Sequence, residues 1–247
     1  MNRILIIVTA ITLSACSTGS LKKQAGALEE KTSLVTNTEG KGPEIIVDLK
    51  KGESFYYPLM AIWLEDADGK YIQTLYVAKA VGTGFFKYAR QEGNKWISEV
   101  KRAPQTLPYW AHKRGIKAAD GLFVPDAKTS VPDAYTGATP ITSFLLTSHA
   151  DGQLPARFRV MLEINQNWDW NEYWTNDKFP DDENYKMSCQ PALVYEAVID
   201  TKTPEESYKM TPVGHSHYSG KTGEIFTDLS TLTTAMKIIE SITVKVR

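Results

Sequence analysis

The sequence predicts an all-β protein, a mostly antiparallel β-sandwich with one short helix near the C-terminus. Three observations lead to this fold class. Short runs of β-branched and aromatic residues recur along the chain, and turn residues bound most of them. The chain also lacks the alternating strand and helix rhythm of parallel α/β folds. Many short strands with frequent turns are typical of a sandwich.

The first predicted strands lie at residues 44–49, 55–64 and 71–77. Each run is rich in Ile, Val, Leu or aromatic residues. Residues 66–69 read Asp-Ala-Asp-Gly, and an Asp-Gly pair between two apolar runs favours a hairpin turn. We therefore expect residues 55–77 to form a hairpin.

The clearest strand pattern comes later, at residues 156–164. Phe158, Val160, Leu162 and Ile164 alternate with Arg157, Arg159, Met161 and Glu163, which predicts one core face and one outer face. Residues 193–199 are more continuously apolar, as in an interior strand covered on both sides. Leu232, Ala235, Met236 and Ile239 then follow helical spacing before a final alternating strand at 242–246.

The N-terminus has the pattern of a secretory signal. Residues 1–15 begin with a basic Arg3, continue with a short apolar run and end in small residues before Cys16. That arrangement resembles the lipobox of bacterial lipoproteins, in which Cys16 would be acylated and become the new N-terminus. Two or three acyl chains anchor a protein stably. We therefore expect a lipid-anchored protein of the bacterial cell envelope, facing the periplasm or the exterior.

The predicted domain organisation has three parts. The signal peptide occupies residues 1–15, and residues 16–43 form the lipidated cysteine and a flexible tether without a sustained apolar period. Residues 44–247 form a single β-sandwich domain. The formal net charge of −1 gives no electrostatic footprint for nucleic acid. No Ser-His-Asp or Cys-His set stands out by spacing, which favours a cofactor carrier or a binding module over an enzyme.

One loop carries a specific chemical pattern. Residues 133–139 read Asp-Ala-Tyr-Thr-Gly-Ala-Thr. The order Asp-x-x-Thr-Gly-Ala-Thr resembles the acceptor motif on which bacterial FMN transferases esterify FMN phosphate to the last threonine. The resemblance makes Thr139 the acceptor and places Asp133, Thr136, Gly137 and Ala138 in the surrounding cofactor-binding loop. Gly137 and Ala138 would supply a pliable, unhindered backbone. An ordinary turn entering a strand is the alternative.

Several segments together resemble a known family. Residues 61–70, 74–75, 108–112, 133–140 and 192–197 are similar to predicted periplasmic bacterial proteins catalogued as a domain of unknown function. Members of this family resemble immunoglobulin-like sandwiches and often occur with an FMN transferase and other redox proteins. The resemblance implies an immunoglobulin-like fold and covalent FMN. It also implies a part in extracytoplasmic electron transfer, with an FMN transferase and redox proteins as partners.

A tryptophan-rich stretch supports a second function. Trp168, Trp170 and Trp174 lie among Asn, Asp and Glu residues, the composition of an aromatic platform that stacks sugar rings. The alternative structure is a loop whose tryptophans fold back over the edge of the sandwich. The second functional hypothesis is therefore a non-catalytic module that binds a glycan or a partner protein.

His215 and His217 are weak candidates for a metal site. A His-x-His pair on a strand projects both rings to one face, and Asp228 or His112 are possible further ligands. A hydrogen-bonded loop between two glycine turns is the alternative, so no metal is assigned.

Overall fold

A computed structural model describes residues 31–247. The signal peptide, Cys16 and residues 17–30 lie outside this range. The described chain contains the following thirteen strands: β1 (Thr32–Thr36), β2 (Glu44–Lys51), β3 (Leu59–Asp66), β4 (Tyr71–Ala78), β5 (Phe85–Glu92), β6 (Lys95–Val100), β7 (Thr136–Gly137), β8 (Phe144–His149), β9 (Arg157–Asn165), β10 (Leu193–Asp200), β11 (Tyr208–Lys209), β12 (Thr211–His215) and β13 (Ile239–Val246). Three short helices are α1 (Lys79–Thr83), α2 (Pro108–Arg114) and α3 (Glu183–Ser188).

Two main sheets share one core. Sheet A has the strand order β1-β8-β2-β13-β11, and sheet B has the order β12-β10-β9-β3-β4-β7. Most neighbours are antiparallel, but β1 pairs with β8 and β4 pairs with β7 in parallel. The predicted β-rich fold is confirmed, and both sheets are of mixed orientation. Strands β5 and β6 form a separate two-stranded hairpin.

The first core consists of side chains from the facing surfaces of the two sheets. On β2, Ile45, Val47 and Leu49 are fully buried and alternate with partly exposed residues. The residues Phe158, Val160, Leu162 and Ile164 of β9 belong to the same buried cluster, as their alternation predicted. A period of two places every second residue of a strand on one face, so these strands contribute to this core from one side.

Sheet B is covered on its other face as well. A second buried cluster joins Trp63 of β3 and Met161 of β9 to Val81 of α1 and Trp110 of α2. This cover comes from the segment between β4 and β7. Met161 and Glu163 do point to the opposite face from the first core, as predicted, but the expectation of a single core face is wrong because both are buried beneath this second layer. The double cover also explains why β3 is buried along almost its whole length.

A buried carboxylate holds α2 against sheet B. Proline occupies the first turn of this helix, and Gly115 ends it with φ of 70°. Glu163 of β9 accepts hydrogen bonds from the backbone N–H of Tyr109 at 3.2 Å and of Trp110 at 2.8 Å. Complete burial raises the pKa of Glu163 to about 8, although these N–H groups and the Ser216 hydroxyl oppose the shift.

The predicted turn between β3 and β4 is confirmed. The Asp66 N–H donates to the Lys70 carbonyl at 2.9 Å, and the Asp66 carboxylate accepts the Asp68 N–H at 3.0 Å. Gly69 has φ of 80°, a left-handed conformation that glycine adopts without a steric penalty. The two aspartates thus serve the turn itself.

The tether prediction is wrong for residues 31–43. Strand β1 lies inside this range and pairs in register with β8, from Thr32 opposite Phe144 to Thr36 opposite Ser148. Thr36 is buried, and its hydroxyl donates to the Leu75 carbonyl at 2.7 Å. The strand was missed because its partner lies far along the chain.

The predicted C-terminal helix is also wrong. Only a 3-10 turn, Ala235–Lys237, occurs there, and β13 begins at Ile239. The helical spacing of Leu232 and Ala235 reflects two residues buried in the first core. From Ile239 onward the chain pairs with β2 as an antiparallel strand, so the helical turn cannot extend further.

Candidate functional site

The loop with the acceptor-like pattern lies at the edge of sheet B. Asp133–Tyr135 form a 3-10 turn, and β7 then pairs in parallel with the end of β4. The Asp133 carboxylate accepts a hydrogen bond from the Lys79 ammonium at 2.8 Å and another from the Thr136 hydroxyl at 3.2 Å. These two hydrogen bonds lower the pKa of Asp133, so the exposed carboxylate is ionised and orders the start of the loop.

The middle of the loop lies against the ring of Tyr76. A Cβ atom at Gly137 would stand 2.7 Å from Tyr76 Cε2, so only glycine fits without movement. The Tyr76 hydroxyl donates to the Ala138 carbonyl at 2.8 Å, and burial raises the pKa of this phenol. These contacts hold the loop backbone in place as far as Ala138, so the expectation of a pliable backbone at Gly137 and Ala138 is wrong. Thr139 follows the last of these contacts and is partly exposed.

A cleft of about 620 Å³ opens beside this loop. Six aromatic side chains contribute to its lining: Tyr56, Tyr57, Phe86, Tyr88, Trp96 and Trp168. Leu59 of β3 also lines it and belongs to the second core. A concave, mostly apolar surface of this size is typical of a small-molecule or cofactor site.

One wall of the cleft is the turn that precedes β3. The Gln166 side-chain oxygen accepts the backbone N–H of Tyr56 at 2.9 Å and of Tyr57 at 3.3 Å. Its amide nitrogen donates to the Ser54 carbonyl at 3.1 Å. Gln166 thus fixes the two tyrosines while both ends of its own amide are occupied.

The β5–β6 hairpin forms another part of the lining. It carries Phe86, Tyr88 and Trp96, and the rings of Tyr88 and Trp96 meet edge to face with centroids 6.0 Å apart. This geometry is favourable for two aromatic rings. Phe86 packs on the second core and connects the hairpin to the body of the protein.

Trp168 completes the lining in an unusual backbone conformation. Its φ is 57°, a left-handed value that bulky residues rarely adopt. The Trp168 N–H donates to the Met187 carbonyl at 3.0 Å, and the Asp169 N–H donates to the Ser188 carbonyl at 3.2 Å. These bonds hold the strained residue in place, with 51% of Trp168 exposed. Such strain often marks a functional position.

Helix α1 connects the cleft to the acceptor-like loop. Lys79 pairs with Asp133 of the loop, while the next residue, Ala80, lines the cleft. Ile141, two residues after Thr139, also lines the cleft. The loop and the cleft are therefore neighbours.

Lys87 is the only charged residue of the described chain that lines the cleft. Its ammonium lies 5.6 Å from the centre of the Tyr88 ring. Lys87 forms no ion pair with any of residues 31–247. The cleft thus offers an uncompensated positive charge beside aromatic surfaces.

The predicted tryptophan platform is wrong as a unit. Trp174 is 7% exposed and belongs to the first core, where its indole N–H donates to the Thr231 hydroxyl at 3.1 Å. Trp170 is 57% exposed but lies outside the cleft lining. Only Trp168 reaches the cleft. The other aromatic walls were missed, although the aromatic residues of the β5–β6 hairpin gave a weak signal in the sequence.

His215 and His217 lie together beside Phe226. The His215 ring stacks on Phe226 at 5.4 Å and contacts the Ser216 carbonyl through Nδ1 at 2.8 Å. Burial lowers the pKa of both histidines. In the described part of the chain, no group of three or more His, Cys, Asp or Glu side chains is placed to hold a metal ion. Both rings take part in aromatic and hydrogen-bonding contacts.

No family model, curated protein or solved structure was found to match the chain. None of the helices within residues 31–247 is long and apolar enough to cross a membrane. The predicted lipidation site, Cys16, lies outside the described residues.

Proposed function

We propose that this protein is an FMN carrier of the bacterial cell envelope, with the FMN phosphate esterified to Thr139. The observation that supports the proposal is that Ile141, two residues after Thr139, lines an aromatic cleft. The ionised Asp133 fixes the start of the loop through Thr136 and Lys79. Thr139 lies just beyond the contacts to Tyr76, where its hydroxyl can enter a transferase active site.

The modification requires an activated flavin donor. The Thr139 oxygen attacks the phosphorus on the flavin side of a flavin dinucleotide, and its proton passes to a base of the FMN transferase. The new P–O bond forms as the pyrophosphate bond breaks, and a nucleoside monophosphate leaves. No electron is transferred in this step. The finished ester retains one ionisable oxygen of the original phosphate.

The bound flavin would supply electron-transfer chemistry between redox partner proteins. The protein's own part is to hold the cofactor and to set its surroundings. A covalent bond suits an envelope protein, since a dissociated cofactor would diffuse away. In this proposal the two-sheet fold belongs to the immunoglobulin-like architecture that the family resemblance implies.

The lipid anchor is a separate part of the proposal. Acylation of Cys16 would hold the folded part at a membrane surface. Cys16→Ala should give a soluble or unprocessed precursor, measured by membrane fractionation and mass spectrometry. A variant that stays acylated and membrane-bound would refute the anchor.

The decisive test of flavinylation is co-expression with an FMN transferase, followed by intact-mass spectrometry. The wild type should gain one FMN phosphoester, and Thr139→Ala should gain none. Thr136→Ala and Asp133→Ala should reduce modification, because each removes a bond that orders the loop. Thr142→Ala, three residues beyond the acceptor, is the matched control and should be modified like the wild type.

An unmodified wild type, with the transferase active on a control acceptor, would end the flavin proposal. The second candidate function is then a non-catalytic module that binds a glycan or a partner protein. The observation that favours it is the same open aromatic cleft, which offers stacking surfaces for sugar rings. Such a protein would be colourless after co-expression.

A further inference from the structure

We infer that the aromatic cleft is the binding site of the flavin ring system. This inference rests on the proposed function, because the flavin in question is the one carried on Thr139. It assigns the flavin ring as the occupant of the cleft, the aromatic lining as its contact surface and Lys87 as the charged group beside it.

The shape and chemistry of the cleft fit a planar aromatic group. Its volume of about 620 Å³ lies within the usual range of cofactor pockets, roughly 300 to 1,000 Å³. Its lining comes from the Tyr56–Tyr57 turn, the β5–β6 hairpin and Trp168. Aromatic rings bury a large apolar area and favour stacked or edge-to-face contacts with another ring.

The reach is short. Ile141 lines the cleft only two residues after Thr139, and α1 contacts both the loop and the cleft. A ring joined to Thr139 through its ribityl chain would remain close to the cleft at all times. Tethering raises the effective concentration of a ligand to about the millimolar range without any new contact. Even a weak site would therefore be occupied.

The charge of the cleft favours a ligand that becomes negative. Lys87 lines the cleft and pairs with no acidic side chain among residues 31–247, and within this range no acidic residue lines the cleft. A reduced flavin carries negative charge on its pyrimidine end, and a cation nearby stabilises that form. Lys87 would thus raise the reduction potential of the bound flavin.

A neutral sugar fits the same surface less well. Sugar hydroxyls need hydrogen-bonding partners, but the Gln166 side-chain oxygen already accepts two N–H groups of the tyrosine turn, and one of its two amide N–H donors bonds to Ser54. Asn167 is the other amide in the lining. The lone cation Lys87, with no acidic residue of the described chain in the lining, favours a flavin that becomes negative over a neutral glycan.

The first experiment measures flavin fluorescence in the flavinylated protein. Emission in the folded wild type should be several-fold weaker than after denaturation, because stacking on tryptophan and tyrosine quenches flavin emission. Trp168→Gly should restore much of the emission while the added FMN mass is unchanged. Glycine suits the positive φ at this position, so the variant should fold. Trp170→Ala is the matched control and should remain quenched.

The second experiment uses the unmodified protein and free riboflavin, so that it does not depend on Thr139. Riboflavin should quench the tryptophan fluorescence of the wild type saturably and should fail to do so in Trp168→Gly. If the transferase does not modify the wild type, the covalent proposal is refuted. Saturable riboflavin binding by that unmodified protein would still support the cleft as a flavin site. Quenching by oligosaccharides but not by riboflavin would overturn the assignment.

The third experiment tests Lys87 in the flavinylated protein. Lys87→Met should lower the midpoint potential of the flavin, and Lys95→Met, on the same hairpin but outside the cleft lining, should leave it unchanged. If the wild type carries FMN, the inference is overturned by flavin emission that is unquenched and insensitive to Trp168→Gly. Equal potentials in the wild type and Lys87→Met would overturn the role of Lys87.

Discussion

The buried Glu163 should make the protein less stable as the pH rises. Its pKa is about 8 in the folded state against an ordinary value of 4.5. Below pH 4.5 the group is protonated in both states, and its full contribution to stability is present. Between the two pKa values the folded chain binds more protons than the unfolded chain, so raising the pH favours unfolding. The contribution is lost as the pH passes through about 8.

The magnitude follows from linkage. One proton difference changes the free energy of unfolding by about 1.4 kcal/mol per pH unit, or roughly 2 kcal/mol between pH 6.5 and pH 8. Burial lowers the pKa of His215 and His217 below 6.5, so both rings are mostly neutral across this window. Burial raises the pKa of Cys189 to about 11 from 9.0, which places its effect at higher pH.

The assay is urea unfolding of the wild type and Glu163→Gln at several pH values between 6.5 and 8. The wild type should lose stability across this window, and Glu163→Gln should show a nearly flat profile because its amide cannot ionise. Glu172→Gln, at an exposed glutamate, is the matched control and should follow the wild type. A wild-type profile that is flat or rises with pH, with Glu163→Gln parallel to it, would refute the reasoning.

Three further predictions concern the fold. Deleting β1 (Thr32–Thr36) should lower the melting temperature by more than about 5 °C, since β8 loses its parallel partner, whereas a chain beginning at Lys31 serves as the control in the same thermal scan. Gly137→Ala should cost about 1–3 kcal/mol in urea unfolding because its methyl group would overlap Tyr76, and Tyr76→Leu in the same chain should relieve part of that overlap; no loss in Gly137→Ala would contradict the close approach. Trp110→Ala should destabilise by about 3–5 kcal/mol, since it empties the second core and removes the hydrogen bond from its indole to Thr74, and a loss below 1 kcal/mol would argue against that core.

The strands that were predicted correctly have a clear local signal. Residues 44–49, 71–77 and 156–164 each alternate or run apolar between turn residues. The first two ranges lie within strands of the main sheets, and the third begins one residue before β9. The Asp-Gly turn was predictable for the same reason, because its chemistry lies within four residues. Local pattern therefore predicts most of sheet B and part of sheet A.

The second layer could not be predicted from local pattern. Trp110 and Val81 reach the outer face of sheet B through short helices in a polar stretch, and no periodicity there marks a buried side. Strand β1 was missed because a short polar strand gains its stability from a distant parallel partner. Tertiary contacts decide both cases.

The candidate site was predictable only in part. The motif located Thr139 and its loop, but the cleft beside it joins segments that are far apart in sequence, including Tyr56, Trp96 and Trp168. The three tryptophans within residues 168–174 also differ in exposure, because Trp174 is buried while the backbone conformation of Trp168 holds its side chain outward. A single sequence contains no direct signal for either fact.

The order of strands in sheet A has a consequence for how the chain folds. Strand β2 lies between β8 and β13, so the centre of this sheet pairs residues near position 45 with residues near position 246. Pairings of such long sequence separation close large loops, and folds dominated by them form in about milliseconds to seconds. A chain that stops before Ile239 would leave β2 with an open edge, which is a ready template for aggregation.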